Sequence, residues 1–158
     1  MTVIKTLIFT ALIVLGVVTI GGPYLVLRIG EFFPMSLGAS RFIGIVPIAA
    51  GAAIYFWCAW DFARFGKGTP APIDPPRELV IRGLYRFTRN PMYIGVWSAL
   101  AGEAVLFESI NLLFYSLLVL IAFHLRVVYY EEPTLRKTFG ESFEEYCRTV
   151  PRWMPLVK

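Results

Sequence analysis

The sequence predicts an all-α fold: an integral membrane helical bundle of about four transmembrane helices, five if the first apolar run is broken, with a cytoplasmic loop and a C-terminal amphipathic helix. Three observations predict it. Of the 158 residues, 57% are hydrophobic and 16% charged, and the mean hydropathy is +0.64. A soluble chain this small buries too little of its surface to hide so much apolar material. The apolar residues fall in runs near the ~20 that a helix needs to cross hydrocarbon. Lys and Arg, finally, collect beside alternate runs, as the positive-inside rule requires. This composition excludes a disordered chain, a disulfide scaffold and a collagen-like repeat.

The first run extends from Val3 to Ile20 with Lys5 as its only charge. It is longer than a signal-peptide core and no A-x-A site follows, so it reads as a span. Gly21-Gly22-Pro23 interrupts it, and Tyr24 to Ile29 then continues at an angle or lies in the interface. The second span is Phe42 to Phe62, where small residues such as Gly44, Ala49 and Gly51 allow another helix to come close. The third is Met92 to Phe107, with Gly95 and Ala99, and Ser98 and Gly102, each four apart. A tight connection, Glu108 to Asn111, leads to the fourth span, Leu112 to Val128, so these two form an antiparallel hairpin.

Charge sets the orientation. Arg64, Lys67, Arg77, Arg82, Arg86 and Arg89 lie between spans two and three, and the tail carries Arg136, Lys137, Arg148, Arg152 and Lys158. The turn between spans three and four has no Lys or Arg. Four spans with both termini cytoplasmic satisfy this distribution and bring the loop and the tail to one side. In the loop, Pro70, Pro72, Pro75 and Pro76 favour extended backbone. In the tail, Leu135, Phe139, Phe143 and Tyr146 recur at helical spacing, which predicts an amphipathic helix bent at Gly140. The net charge of +4 follows from this placement and needs no nucleic-acid partner.

Two clusters carry candidate chemistry. The first is Gly83-Leu84-Tyr85-Arg86-Phe87-Thr88-Arg89-Asn90-Pro91-Met92-Tyr93. Asn90 is a good N-cap and Pro91 suits the first helical position. A cationic interface before a capped helix accounts for these residues. So does an anion site, in which the helix N-terminus and Arg89 meet a carboxylate or phosphate and Tyr85 and Tyr93 hold a cation. The second cluster is His124-Leu125-Arg126, then Glu131-Glu132. Adjacent carboxylates at a membrane exit are either solvated or paired with cations. Antiparallel spans three and four make Glu131 and Asn90 neighbours, a setting for a small zwitterion or sulfonium. His124 reads as a hydrogen-bonded bundle residue. Glu103, within span three, either pairs with another helix or is wetted at the far interface. Cys58 and Cys147 lie at different depths and are expected to be free thiols, with no metal-binding spacing. No GxGxxG, Walker, HExxH or GxSxG motif is present, which excludes a soluble nucleotide-binding domain.

Read together, Gly68-Thr69-Pro70-Ala71-Pro72, Pro75-Pro76, Leu79-Val80, Gly83-Leu84-Tyr85, Arg89 to Gly95, Glu131-Glu132, Phe139-Gly140 and Val150-Pro151-Arg152 resemble the isoprenylcysteine carboxyl methyltransferase and phospholipid methyltransferase superfamily. The resemblance spans Gly66 to Pro155. It implies a single membrane domain over 1–158, with N-terminal spans at 1–65 and a cofactor-binding catalytic region at 66–158. It also implies S-adenosyl-L-methionine as cofactor, contacted by Glu78, Leu79, Val80, Tyr85, Asn90, Pro91, Tyr93 and Glu131, with Arg89 beside them. The expected reaction is methyl transfer to a lipidic or isoprenoid-like carboxylate or amine drawn from the bilayer at the cytoplasmic face. Glu131 or Glu132 would then take a proton from an amine. Asn90 stands where the eukaryotic prenylcysteine enzymes have His. Their substrate-binding arginine has no clear counterpart here, Arg126 being the nearest candidate. Two rivals stay open: an NADPH-dependent membrane reductase of related fold, and a non-enzymatic four-span transport or assembly protein in which Glu103 pairs with His124.

Overall fold

The computed structural model describes residues 12–30, 36–65 and 79–154, with the side chains of 12–15 and 63 excepted. The start of the first predicted span, the proline-rich loop with Glu78, and Pro155 lie outside the described residues. Helix accounts for nearly all of the rest. The chain runs in π-type turns over Leu12–Gly21 directly into α1 (Gly22–Ile29). A 3-10 turn, Gly38–Gly44, leads into α2 (Ile45–Phe65), and another, Gly83–Arg86, precedes α3 (Pro91–Leu106). Next comes α4 (Ile110–Arg126), which passes through a π turn, Val127–Glu131, into α5 (Glu132–Phe139), and α6 (Glu141–Thr149) follows.

The predicted break at Gly21-Gly22-Pro23 is not a break: helical turns continue through it. Pro23 sits at the start of α1, where its missing N–H costs nothing within that helix. A π turn on the Val18 carbonyl needs a donor five residues on, and that residue is Pro23. The Tyr115 hydroxyl supplies the donor instead, at 2.9 Å. Gly22 makes room for it, since a Cβ there would lie 2.1 Å from the Tyr115 oxygen.

The closest helix pairing is α2 against α3, along the small residues noted above. A Cβ on Gly51 would lie 2.3 Å from the Gly95 carbonyl oxygen, and one on Gly44 would lie 2.4 Å from that of Gly102. Two backbones therefore touch, the contact that stabilises helix pairs where lipid offers no hydrophobic drive. Ser98 Oγ donates to the Pro47 carbonyl at 3.1 Å across the same seam. Tyr55 of α2 packs with Val96 and Leu100 of α3, and Tyr115 and Val119 of the next helix join them.

Gly38–Phe62 and Ile110–Phe139 are long and apolar enough to cross a membrane, while Gly16–Ile29 is shorter and α3 has 16 residues. Large apolar side chains line the outside; Trp60 is 61% exposed and Leu118 65%. Such a belt is a liability in water and ordinary in lipid.

Candidate functional site

The site is built where the turn before α3, the end of α4 and the tail meet. Gly83 opens that turn at φ +52, and a Cβ there would fall 2.3 Å from the Asp61 Oδ2 atom. The turn sends Tyr85 inward, where it is buried with Cys58 and Val80 and sits edge-on to Phe62, 5.6 Å between ring centroids. Burial holds its hydroxyl protonated well above the usual phenol range. The Tyr85 carbonyl accepts a 2.6 Å bond from the Tyr146 hydroxyl of α6.

Pro91 takes the first position of α3 and Asn90 the cap position, as expected, but the Asn90 side chain makes no capping bond. Its Nδ2 donates instead to the Arg152 carbonyl at 3.1 Å, which also accepts from Thr88 Oγ1 at 3.1 Å. The Arg89 N–H donates to the Pro151 carbonyl at 2.9 Å. Tail backbone thus zips onto the loop before α3 and draws the Asn90 amide away from the helix start. That start is left without a side-chain cap, while keeping the partial positive charge of its amides.

The adjacent carboxylates face different partners, as consecutive helical residues point about 100° apart. Glu131 accepts from the Tyr93 hydroxyl and from Arg126 Nε at 2.8 Å, and that same Nε lies 3.1 Å from the Tyr93 oxygen. Tyr93 stacks at a tilt on Phe123, 4.4 Å between centroids. Glu132 is buried, with its side chain 7% exposed, and Arg89 Nη1 lies 3.0 Å from its Oε1. Arg152 grips it with both prongs, Nε to Oε1 at 2.7 Å and Nη2 to Oε2 at 2.9 Å. A fork-to-fork pair of this kind is the strongest geometry open to a carboxylate. Arg89 also reaches Cys147 Sγ at 2.7 Å, and its Nε is buried without a hydrogen-bond partner among the described residues. Burial raises the Cys147 pKa, and the nearby Arg89 charge opposes that rise. With two guanidinium groups to one carboxylate, the Arg89–Glu132–Arg152 group keeps one positive charge in excess.

The predicted residues are thus partly gathered. Arg89, Asn90, Pro91, Tyr93, Arg126, Glu131 and Glu132 meet at this end of the bundle. Leu79 packs on the tail cluster of Phe143, Tyr146 and Val150. A cavity of about 270 Å³ opens beside Phe65, Leu79, Val80, Ile81 and Arg82. Glu78 lies outside the described residues. His124 and Glu103 are not partnered with each other: His124 Nδ1 accepts from Trp153 Nε1 at 3.1 Å, and Glu103 Oε2 is buried without a hydrogen-bond partner among the described residues. Both cysteines are free. Sequence reasoning did not anticipate the parts played by Thr88, Tyr146, Cys147 and Trp153. Arg152, following Val150-Pro151 straight after an amphipathic helix, was the readable signal for the tail.

Fold and site define a class: a lipid-facing helical bundle with an ionic cluster, rich in arginine, at one end. The family model for phospholipid methyltransferase matches residues 39–142, and the chain belongs to that family. The Schizosaccharomyces pombe protein-S-isoprenylcysteine O-methyltransferase is 36% identical over 81 residues, 50% of this chain and 34% of that protein. A probable protein-S-isoprenylcysteine O-methyltransferase of Oryza sativa subsp. indica is 32% identical over 120 residues, 74% of this chain and 62% of the relative. The chain therefore spans between a third and two thirds of the length of these relatives. The solved eukaryotic intramembrane Ras methyltransferase ICMT (isoprenylcysteine carboxyl methyltransferase) superposes with a TM-score of 0.63 at 19% identity, covering 90% of this chain and 52% of that one. That likeness shows a common fold.

Proposed function

We propose that the protein transfers a methyl group from S-adenosylmethionine to a lipidic or isoprenoid-like acceptor at the cytoplasmic face of the membrane, with four spans and both termini on that side. The observation that carries this reading is the bond between Tyr93 and Glu131, 38 residues apart. It joins the Arg-Asn-Pro-Met-Tyr segment to the paired glutamates on one polar surface. The family and the names of the relatives support the reaction class.

The residues present fit the cofactor. The uncapped start of α3, with Arg89 and Asn90, suits its carboxylate. Glu131 suits its ammonium, and the Tyr93 face suits the sulfonium. Leu79 and Val80, beside the cavity, suit the adenosine. Tyr85 is committed to packing against Phe62 and Cys58, so it supports this wall from behind. When bound, S-adenosylmethionine supplies an electrophilic methyl group on a sulfonium. The chain's task is alignment, from which effective molarity provides much of the rate. A carboxylate acceptor needs no base, whereas an amine gives its proton to Glu131. Glu132 is occupied by two arginines and acts as a positioning residue. Arg126, which bridges Glu131 and Tyr93, holds their geometry and, with its side chain 42% exposed, stays open to an incoming acceptor.

Calorimetric titration of the purified protein in nanodiscs with S-adenosylmethionine, and in parallel with NADPH, tests this. Saturable S-adenosylmethionine binding that is lost in Glu131→Ala is expected. NADPH binding alone points to the reductase, and binding of neither by folded protein removes the enzymatic reading.

A further inference from the structure

We infer that Pro151–Trp153 is a self-bound strap over the cofactor donors, which peels away to let the cofactor in and out. This rests on the function proposed above and adds a step to it. The tail before the strap is held by apolar packing: Phe143 is 1% exposed, Tyr146 4% and Val150 6%. Beyond Val150 the character of the contact changes. The Pro151 carbonyl takes the Arg89 N–H, and the Arg152 carbonyl takes Asn90 Nδ2 and Thr88 Oγ1. The Arg152 side chain grips Glu132, and Trp153 Nε1 donates to His124. The three backbone-carbonyl bonds and the Trp153 bond can be traded for water or ligand at small net cost, while the Arg152 pair with Glu132 is the costly contact that holds the strap shut; pulling Phe143 or Val150 from its core has no such exchange.

What the strap occupies sets its role. Asn90 Nδ2 is a donor that a cofactor carboxylate needs, and a carbonyl of the chain itself already fills it. Arg89 is likewise turned toward Glu132, leaving its Nε buried without a partner. The closed strap therefore sets its own carbonyl oxygen on the Asn90 donor where a cofactor carboxylate oxygen would accept, with Val150-Pro151 as the hinge and Arg152 as the catch. Peeling exposes Asn90, Thr88 and the uncapped start of α3 together, and leaves α6 in place.

The test is the rate of S-adenosylmethionine exchange in the full chain. In His124→Cys/Trp153→Cys, carried in a Cys147→Ser background, a short reducible bis-methanethiosulfonate linker ties the strap to α4. Cross-linked protein should bind and release the cofactor about tenfold more slowly or worse, with dithiothreitol restoring the rate. Arg152→Gln, whose amide can keep at most one of the two bonds to Glu132 and without the charge, loosens the catch and should speed both association and release about tenfold. Equal exchange before and after reduction overturns the strap, as does an Arg152→Gln rate that stays the same or falls. Failure of the wild-type protein to bind S-adenosylmethionine at all is a different outcome: it overturns the proposed function, and the strap with it.

Discussion

Two glutamates at opposite ends of α3 are held in opposite ways. At the end away from the site, Glu108 turns the chain at φ +53. Its Oε1 accepts the Leu37 N–H at 2.7 Å and the Gly38 N–H at 3.0 Å, with Arg41 3.7 Å away. At the site end, Glu132 is held by the side chains of Arg89 and Arg152. A carboxylate bound by backbone amides fixes the path of the chain, because nothing can replace it without moving main chain. One bound by guanidinium groups sits among donors that an incoming anion can also use. The first is an anchor, and the second is a place where a ligand competes.

Removing each carboxylate tests that contrast, and Glu132 should cost most. Glu132→Ala leaves two arginines facing each other over a buried gap, with an expected loss of about 3–5 kcal/mol. Thermal unfolding in detergent measures it, and a loss below that of Glu108→Ala would break the contrast. Glu108→Ala should cost about 1–2 kcal/mol for its amide bonds. Its S-adenosylmethionine affinity should stay within about twofold of wild type, since the site lies at the other end of α3. Glu108→Gly sharpens the point: glycine adopts the left-handed backbone freely and should recover roughly 1 kcal/mol of that loss.

Two smaller effects concern the tail. Tyr146→Phe removes one buried bond to the Tyr85 carbonyl and should lower stability by about 1 kcal/mol. The smallest effect is chemical. Burial raises the Cys147 pKa, so at pH 8 a smaller thiolate fraction is present than in a free thiol. Maleimide should therefore label Cys147 more slowly than a free cysteine, by about severalfold, with the rate still climbing as pH rises further. Peptide mass spectrometry separates it from Cys58, which is fully buried.

Much of this was written in the sequence. The apolar runs gave α2, α3 and α4 to within a few residues. The glycine and alanine spacing marked α2 and α3 as helices that another could approach closely, without naming the partner, and Pro91 gave the start of α3. Gly140 bends the tail between α5 and α6 at φ +51, as its place in the amphipathic pattern required. The nearness of the Asn90 segment to the glutamates, seen in the Arg89–Glu132 and Tyr93–Glu131 contacts, is what antiparallel spans lead one to expect. These are local facts, or facts of periodicity, which composition and backbone sterics decide on their own.

Partner choice was not legible. Nothing in Glu131-Glu132 says that the first takes a tyrosine and the second two arginines, because those partners come from α3, the turn before it and the tail. Asn90 has the sequence of a cap, yet it serves the Arg152 carbonyl, which lies 62 residues away. Gly21-Gly22-Pro23 reads as a break, yet Tyr115, from another helix, repairs the missing donor. The sequence by itself determined a lipid-facing helical bundle and the end of it that carries charge, because hydrophobic transfer and helix geometry act residue by residue. Only the tertiary structure decided which buried charge meets which donor. Such a bond depends on distances between distant segments, and the cost of leaving a buried polar group unpaired is met wherever packing brings a partner within reach.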